Sequence, residues 1–186
     1  DGLEPTAWPT LPDDPARIVA MLRDAASSFD LVISCGAVSA GEKDHIPALL
    51  QAHGSVHFWK VRMKPGMPLL AGQLDRAQFL GLPGNPVSVL ATYLALGRVL
   101  VDGLQGRSPR PRRYARLEAG IDKPHPRREF VRGALRCDDA GVQWVAANAA
   151  TGSHRLRAAA DADALLVLAE GAQSLARGDV VEVLTY

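Results

Sequence analysis

The chain has 186 residues, a formal net charge of +1 and 47% apolar residues, which suits one or two soluble globular domains and excludes broad electrostatic binding to nucleic acid. No apolar run approaches the length of a membrane span, and no charged-then-apolar leader opens the chain. Cys35 and Cys137 lie far apart, with no CxxC or Cys/His cluster, so neither a disulfide framework nor a zinc site is expected and a reducing cytoplasm fits.

Residues 1–12 are rich in Pro, Gly and Trp and read as a linker or remnant. A helix is predicted from Asp13 to Ser28. Ile18, Val19, Leu22 and Ala26 share one face, Asp13 or Asp14 is a natural cap, and Pro15 suits the first turn. Asp30-Leu31-Val32-Ile33-Ser34 is short, apolar and β-branched, the mark of a buried strand. It runs into Cys35-Gly36-Ala37-Val38-Ser39-Ala40-Gly41-Glu42-Lys43-Asp44, and a helix from about His45 to His53 follows. Gly36 and Gly41 permit left-handed backbone and close approach to a ligand. Ser39 adds a hydroxyl and Asp44 a carboxylate.

Ser55 to Val61 reads as the next strand. Leu69-Leu70-Ala71 and Ala77 to Leu80 are two more, on either side of a turn at residues 73–76. Between them, Lys64-Pro65-Gly66-Met67-Pro68 sets a lysine on a rigid turn. Leu82-Pro83-Gly84-Asn85-Pro86-Val87-Ser88 is then a strand end, a sharp turn and a helix start: Asn85 is a strong capping type and Pro86 suits the first helical position. A helix begun this way offers free backbone N–H groups and a positive dipole end, a ready anion site. It is predicted to run from Val87 to Leu104, with Val89, Leu90, Tyr93, Leu94 and Leu100 spaced for packing on a sheet.

Residues 106–113, with prolines and four arginines, form a domain boundary and read as a solvated linker rather than a phosphate patch. Beyond it lie short strand candidates at Tyr114–Leu117, Phe130–Arg136, Val142–Val145, Ala164–Leu168 and Val180–Leu184, the pattern of a small β domain.

Singly, these residues have plain structural roles open to them. Asp44 suits a helix cap, Lys64 a solvated turn, Ser88 a first-turn stabiliser, and Cys35 an inert small side chain. His45 and His154 suit packing or surface positions. Two small-residue loops at strand ends, where α/β sheets bind ligands, point instead to a phosphate-bearing ligand.

In order and spacing, the three loops resemble those of the MoeA-type molybdopterin molybdenumtransferases, the family that includes the E domain of gephyrin. Ser34 to Asp44 resembles the family's S-[SG]-G-G-V-S-x-G-x-x-D, and Phe58 to Val61 with Met63 to Pro68 its F-x-x-V-x-x-K-P-G-K-P. Leu82 to Ser88 matches its L-P-G-N-P-V-S. Arg128 to Gly133 and Gly152-Ser153-His154 look like parts of its C-terminal β domain. The resemblance implies a three-layer α/β molybdopterin-binding (MoaB/MogA-like) domain over 13–107, lacking its first strand and helix, and a small all-β C-terminal domain over 108–186. The chain is thus expected to be a C-terminal piece, inactive alone.

The implied reaction turns adenylylated molybdopterin and molybdate into molybdenum cofactor and AMP, with Mg²⁺. Asp44 and Lys64 are implied as catalytic and Asp44 as the metal ligand. Gly36, Ser39, Gly41, Pro83, Gly84, Asn85, Pro86 and Ser88 are implied to bind the pterin substrate. Arg128, Arg132, Ser153 and Arg155 are further candidates in the β domain. Implied partners are the pterin, molybdate, a second copy in the full-length protein and a molybdopterin adenylyltransferase, with no nucleic acid or membrane. A stand-alone molybdopterin adenylyltransferase and a non-catalytic gephyrin-like scaffold are the alternatives. Two positions depart from the pattern: Ala37 stands for a glycine and Met67 for a lysine.

Overall fold

Asp14 starts the first helix, α1 (Pro15–Ser28): its carboxylate accepts from the Ala16 amide at 3.0 Å and the Arg17 amide at 3.4 Å, with Pro15 behind it. The computed structural model describes residues 1–38, 44–148 and 162–186. They divide into two compact units: Asp1–Val61 with Gly66–Asn85, and Arg62–Pro65 with Pro86–Tyr186.

The first unit is built on a four-stranded sheet in the order β1 (Leu31–Cys35), β5 (Ala77–Leu82), β4 (Leu70–Leu74), β2 (Gly54–Trp59). β1 runs parallel to β5, and the other pairs are antiparallel. Strand β4 is longer than expected because Gln73 and Leu74 continue the ladder, leaving a two-residue turn at Asp75-Arg76, and β5 is longer because Gly81 and Leu82 pair with Ser34 and Cys35. Asp75 takes φ +50°, which an aspartate tolerates better than most side chains. One core joins Ile18, Leu22 and Ala26 of α1 to Ile46, Leu49 and Leu50 of α2 (Ile46–His53). Leu70, Leu74, Ala77 and Phe79 supply the sheet side of that core, so both helices cover one face of the sheet.

The second unit contains β3 (Met63–Lys64), β6 (Arg113–Leu117), β7 (Ile121–Lys123), β8 (Arg128–Cys137), β9 (Gln143–Ala147), β10 (Ala164–Leu168), β11 (Gln173–Leu175) and β12 (Val180–Thr185). Pairing runs β10-β12-β6-β9-β8, and β8 pairs again with β10, closing a five-stranded barrel without edges. Gly133 is where ten-residue β8 passes from β10 to β9. A Cβ there would stand 2.4 Å from Leu166 Cδ1 and 2.8 Å from the Ala146 carbonyl oxygen, so only glycine fits. β7 and β11 form a separate ribbon, and β3 adds to β8 in parallel.

The helical run Pro86–Leu104 comprises α3 (Pro86–Thr92), a π-helical turn at Tyr93–Gly97 and α4 (Arg98–Leu104). Thr92 Oγ1 donates to the Ser88 carbonyl at 2.8 Å just before the π turn. Contrary to expectation, this run is long and apolar enough to cross a membrane by length and composition. Its packing is that of a helix inside a folded unit. Ser88, Thr92 and Asp102 lie on its buried side, and Arg98 Nη1 donates to the Thr185 carbonyl at 2.8 Å. Val89, Leu90, Tyr93 and Leu100 are only half-buried, so the buried stripe is richer in small and polar residues than the spacing suggested. The arginine-rich segment is exposed but anchored: Arg110 forks onto Asp102 at 2.5 and 2.8 Å, holding that carboxyl below the usual carboxylate range.

Candidate active site

Two turns leave the carboxyl ends of neighbouring parallel strands in the first unit. After β1, Gly36 takes φ +94° and its amide donates to the Leu82 carbonyl at 2.9 Å. After β5 comes Pro83-Gly84-Asn85. A Cβ on Gly84 would stand 3.6 Å from Gly36 Cα, and one on Gly36 3.9 Å from Gly84 Cα. The two glycines therefore face each other with room for about one methyl group between them, with Gly84 exposed and Asn85 half-buried. The backbones of two turns are thus brought together at the end of the sheet where α/β proteins hold ligands.

Packing holds the first turn in shape. Ala37 takes φ +56°, an unusual conformation for a residue with a Cβ. Val38 is buried, and a Cβ on Gly81 would stand 2.5 Å from its Cγ1, so glycine at 81 makes the space Val38 fills. The Trp59 indole N–H donates to the Val38 carbonyl at 2.8 Å. Ser34 Oγ, at the end of β1, is buried with no hydrogen-bond partner among the described residues. Sequence reasoning passed over Ser34, Trp59 and Gly81. A glycine inside an apolar strand is a signal of close approach, and Gly81 carried it. Nothing linked Trp59 to Val38 across 21 residues.

Ser39 and Gly41 lie outside the described residues, as do Ser153, His154 and Arg155. Asp44 is half-buried beyond the loop, and the cap position of α2 belongs to His45, whose side chain makes no capping bond. Pro86 is the first residue of α3, and Ser88 is buried in its first turn.

Lys64 belongs to the second unit. β3 lies beside the start of β8, with Met63 opposite Arg128 and Lys64 opposite Glu129. The Lys64 ammonium sits 2.9 Å from Glu129 Oε1, and His125 Nε2 lies 2.9 Å from Glu129 Oε2. Lys64 remains 46% exposed, while Glu129 is 16% exposed. The Lys64–Pro65 peptide is cis, Gly66 follows at φ +104°, and Met67 is exposed. Among the described residues no group of three His, Cys, Asp or Glu side chains could cage a metal. Asp44 is a single carboxylate, which fits only a cation that keeps its waters or rides on a substrate's phosphates.

Residues 1–102 match the family described as a probable molybdopterin binding domain, and residues 114–186 match the MoeA C-terminal region, domain IV. The chain belongs to the MoeA family. It is 35% identical to a molybdopterin molybdenumtransferase of Haemophilus influenzae over 93% of its own length and 44% of the relative's. Molybdopterin molybdenumtransferase 2 of Mycobacterium tuberculosis is 34% identical over 98% of this chain and 46% of the relative. The solved MoeA protein from Pyrococcus horikoshii superposes with a TM-score of 0.74 at 26% identity, covering 93% of this chain and 41% of that one. The chain thus spans less than half the length of these relatives.

Proposed function

We propose that this chain forms the pterin-binding and C-terminal part of an enzyme that inserts molybdenum into molybdopterin. In that reaction adenylylated molybdopterin and molybdate give molybdenum cofactor and AMP. The observation that carries the reading is the meeting of Gly36 and Gly84 at the ends of two parallel strands, in a chain whose first 102 residues match a molybdopterin-binding domain. A pterin phosphate needs donors and close backbone approach. The turn at Gly36 and the Pro83-Gly84-Asn85 turn would supply them, and Ser39, Gly41, Pro86 and Ser88 are further proposed contacts carried by the same sequence motifs.

Lys64 would meet phosphate or molybdate oxygens as a point charge. Breaking the phosphoanhydride in adenylylated molybdopterin puts charge on the departing AMP phosphate, and a fixed cation aimed there lowers the barrier. Asp44 would offer one carboxylate to Mg²⁺, which brings charge neutralisation to the substrate's phosphates when bound. A homodimer, a cytoplasmic setting and traffic with a molybdopterin adenylyltransferase belong to the same proposal. The MoeA C-terminal match over 114–186 speaks against a stand-alone adenylyltransferase, which resembles the α/β part alone.

The test is AMP release by the full-length protein given adenylylated molybdopterin, molybdate and Mg²⁺. No AMP above the no-enzyme control would end the enzymatic reading. Exposed Met67, where the resembled K-P-G-K-P pattern has lysine, favours a second reading as a non-catalytic binding module. Met67→Lys separates the two. A gain of about tenfold or more in molybdate-dependent rate, as one charged hydrogen bond of roughly 1.5 kcal/mol would give, marks a weakened enzyme. No rate and no pterin binding in either form marks a module.

A further inference from the structure

We propose that Glu129 is a positioning residue for Lys64, acting through the ion pair between them and held in turn by His125. This rests on the reading of Lys64 as an anion contact. The motif that carries Lys64 sits in the middle of the first unit's sequence, yet residues 62–65 are built into the second unit. The backbone ties them there. Met63 is buried, β3 pairs in parallel with the start of β8, and the Arg128 amide donates to the Arg62 carbonyl at 3.2 Å. In that register Glu129 stands directly opposite Lys64.

The side chains complete the arrangement. An ammonium has three donors, and Glu129 Oε1 takes one of them at 2.9 Å. The Lys64 side chain, 46% exposed, can present its remaining donors to solvent or to an anion. Glu129 is itself fixed, because its other oxygen lies 2.9 Å from His125 Nε2. His125 Nδ1 is buried and unpartnered among the described residues, so the tautomer with its proton on Nε2, donating to Glu129, suits the ring. Each link is short and held by a strand or a tight turn, as a second layer around a working charge must be.

The arrangement has a cost that makes it testable. A free lysine loses rotamer freedom when it grips an anion, and an ammonium already held loses less. A carboxylate beside that ammonium, however, repels the same anion. If Glu129 served binding alone, its removal would tighten substrate affinity and leave turnover untouched. If it served only folding, its removal would lower the melting temperature and leave the rate per folded molecule unchanged. Positioning predicts neither of these.

The experiment compares Glu129→Gln, Glu129→Asp, Lys64→Ala and the double variant Glu129→Gln/Lys64→Ala in the full-length protein. AMP release is followed as a function of adenylylated molybdopterin and of molybdate, with folded fraction taken from circular dichroism. Positioning predicts that Glu129→Gln lowers kcat about tenfold with KM no higher than in the parent, a modest share of what misplacing a catalytic group can cost. Glu129→Asp keeps the charge but withdraws it by one methylene, and should fall between. In the Lys64→Ala background, Glu129→Gln should add nothing. A kcat within twofold of the parent in both Glu129 variants, while Lys64→Ala is impaired, overturns the positioning role alone. So does an undiminished effect of Glu129→Gln when Lys64 is already gone. Parent-like activity in Lys64→Ala overturns the Lys64 reading and the inference together.

Discussion

The paired turns after β1 and β5 are held by shape, whereas the segment from Lys123 to Glu129 is held by charge. In the first region, the contacts seen among the described residues around Gly36 and Gly84 are packing and backbone or indole hydrogen bonds. Val38 fills the space over Gly81, the Trp59 indole holds the Val38 carbonyl, and the Gly36 amide holds Leu82. In the second, Lys123 is 1% exposed and its ammonium donates to the carbonyls of His125 at 2.8 Å, Arg127 at 3.0 Å and Gly171. That buried cation pins the turn whose side chains, His125 and Glu129, lead to Lys64. The two lysines show what decides the role of the residue. Lys123 gives all three donors to backbone and is structural; Lys64, half-exposed with one carboxylate, keeps donors for the anion contact proposed for it.

Removing the buried cation should break the charge-held region most severely. Lys123→Met keeps much of the side chain's length but leaves three carbonyls short of a donor. At roughly 1 kcal/mol or more for each lost partner, the expected loss is about 3 kcal/mol, read as a lowered denaturant midpoint. A loss below about 1 kcal/mol would mean that water replaces the ammonium without difficulty, and the contrast between the regions would disappear.

The shape-held region should break on addition of a single methyl group. Gly81→Ala puts a Cβ 2.5 Å from Val38 Cγ1, and the stiff, buried valine has nowhere to turn. Overpacking of this kind costs about 2 kcal/mol. Val38→Ala in the same chain should recover part of that loss, because it removes the clashing methyl; calorimetric melting of the two variants measures both effects. If Gly81→Ala melts with the parent, Val38 is not what fixes the turn.

Local chemistry was legible where it is written locally. Asp14 before Pro15, and Asn85 before Pro86, marked two helix starts, and the barrel strands fell within a few residues of their predicted positions. The motifs at Gly36 and Gly84 were visible as loops, but their approach depends on β1 lying beside β5, as in Leu31 opposite Gln78 and Cys35 opposite Leu82. β3 was invisible because two residues carry no periodicity, and only their register with β8 makes them a strand. The same non-local pairing hid Glu129, which reads in sequence as one charge among Arg127, Arg128 and Arg132. Lys123 was passed over for a related reason. A lysine at the end of a three-residue strand gives no sign that three carbonyls will surround it.

The smallest expected effect lies at Ala37, where backbone strain and side-chain packing oppose each other within the shape-held turn. Its φ of +56° costs a non-glycine residue about 1 kcal/mol, so Ala37→Gly should relieve strain in the folded state. Two terms oppose that gain. The glycine chain has more freedom to lose on folding, an effect of about 0.4–1 kcal/mol, and the Ala37 methyl packs against the first unit's core. If backbone strain leads, Ala37→Gly stabilises the protein by about 0.5 kcal/mol, a rise of a degree or two in Tm for a chain of this size. A net loss above about 1 kcal/mol would show instead that the methyl is part of the packing that closes the turn, and that the alanine here is a fitted residue rather than a tolerated one.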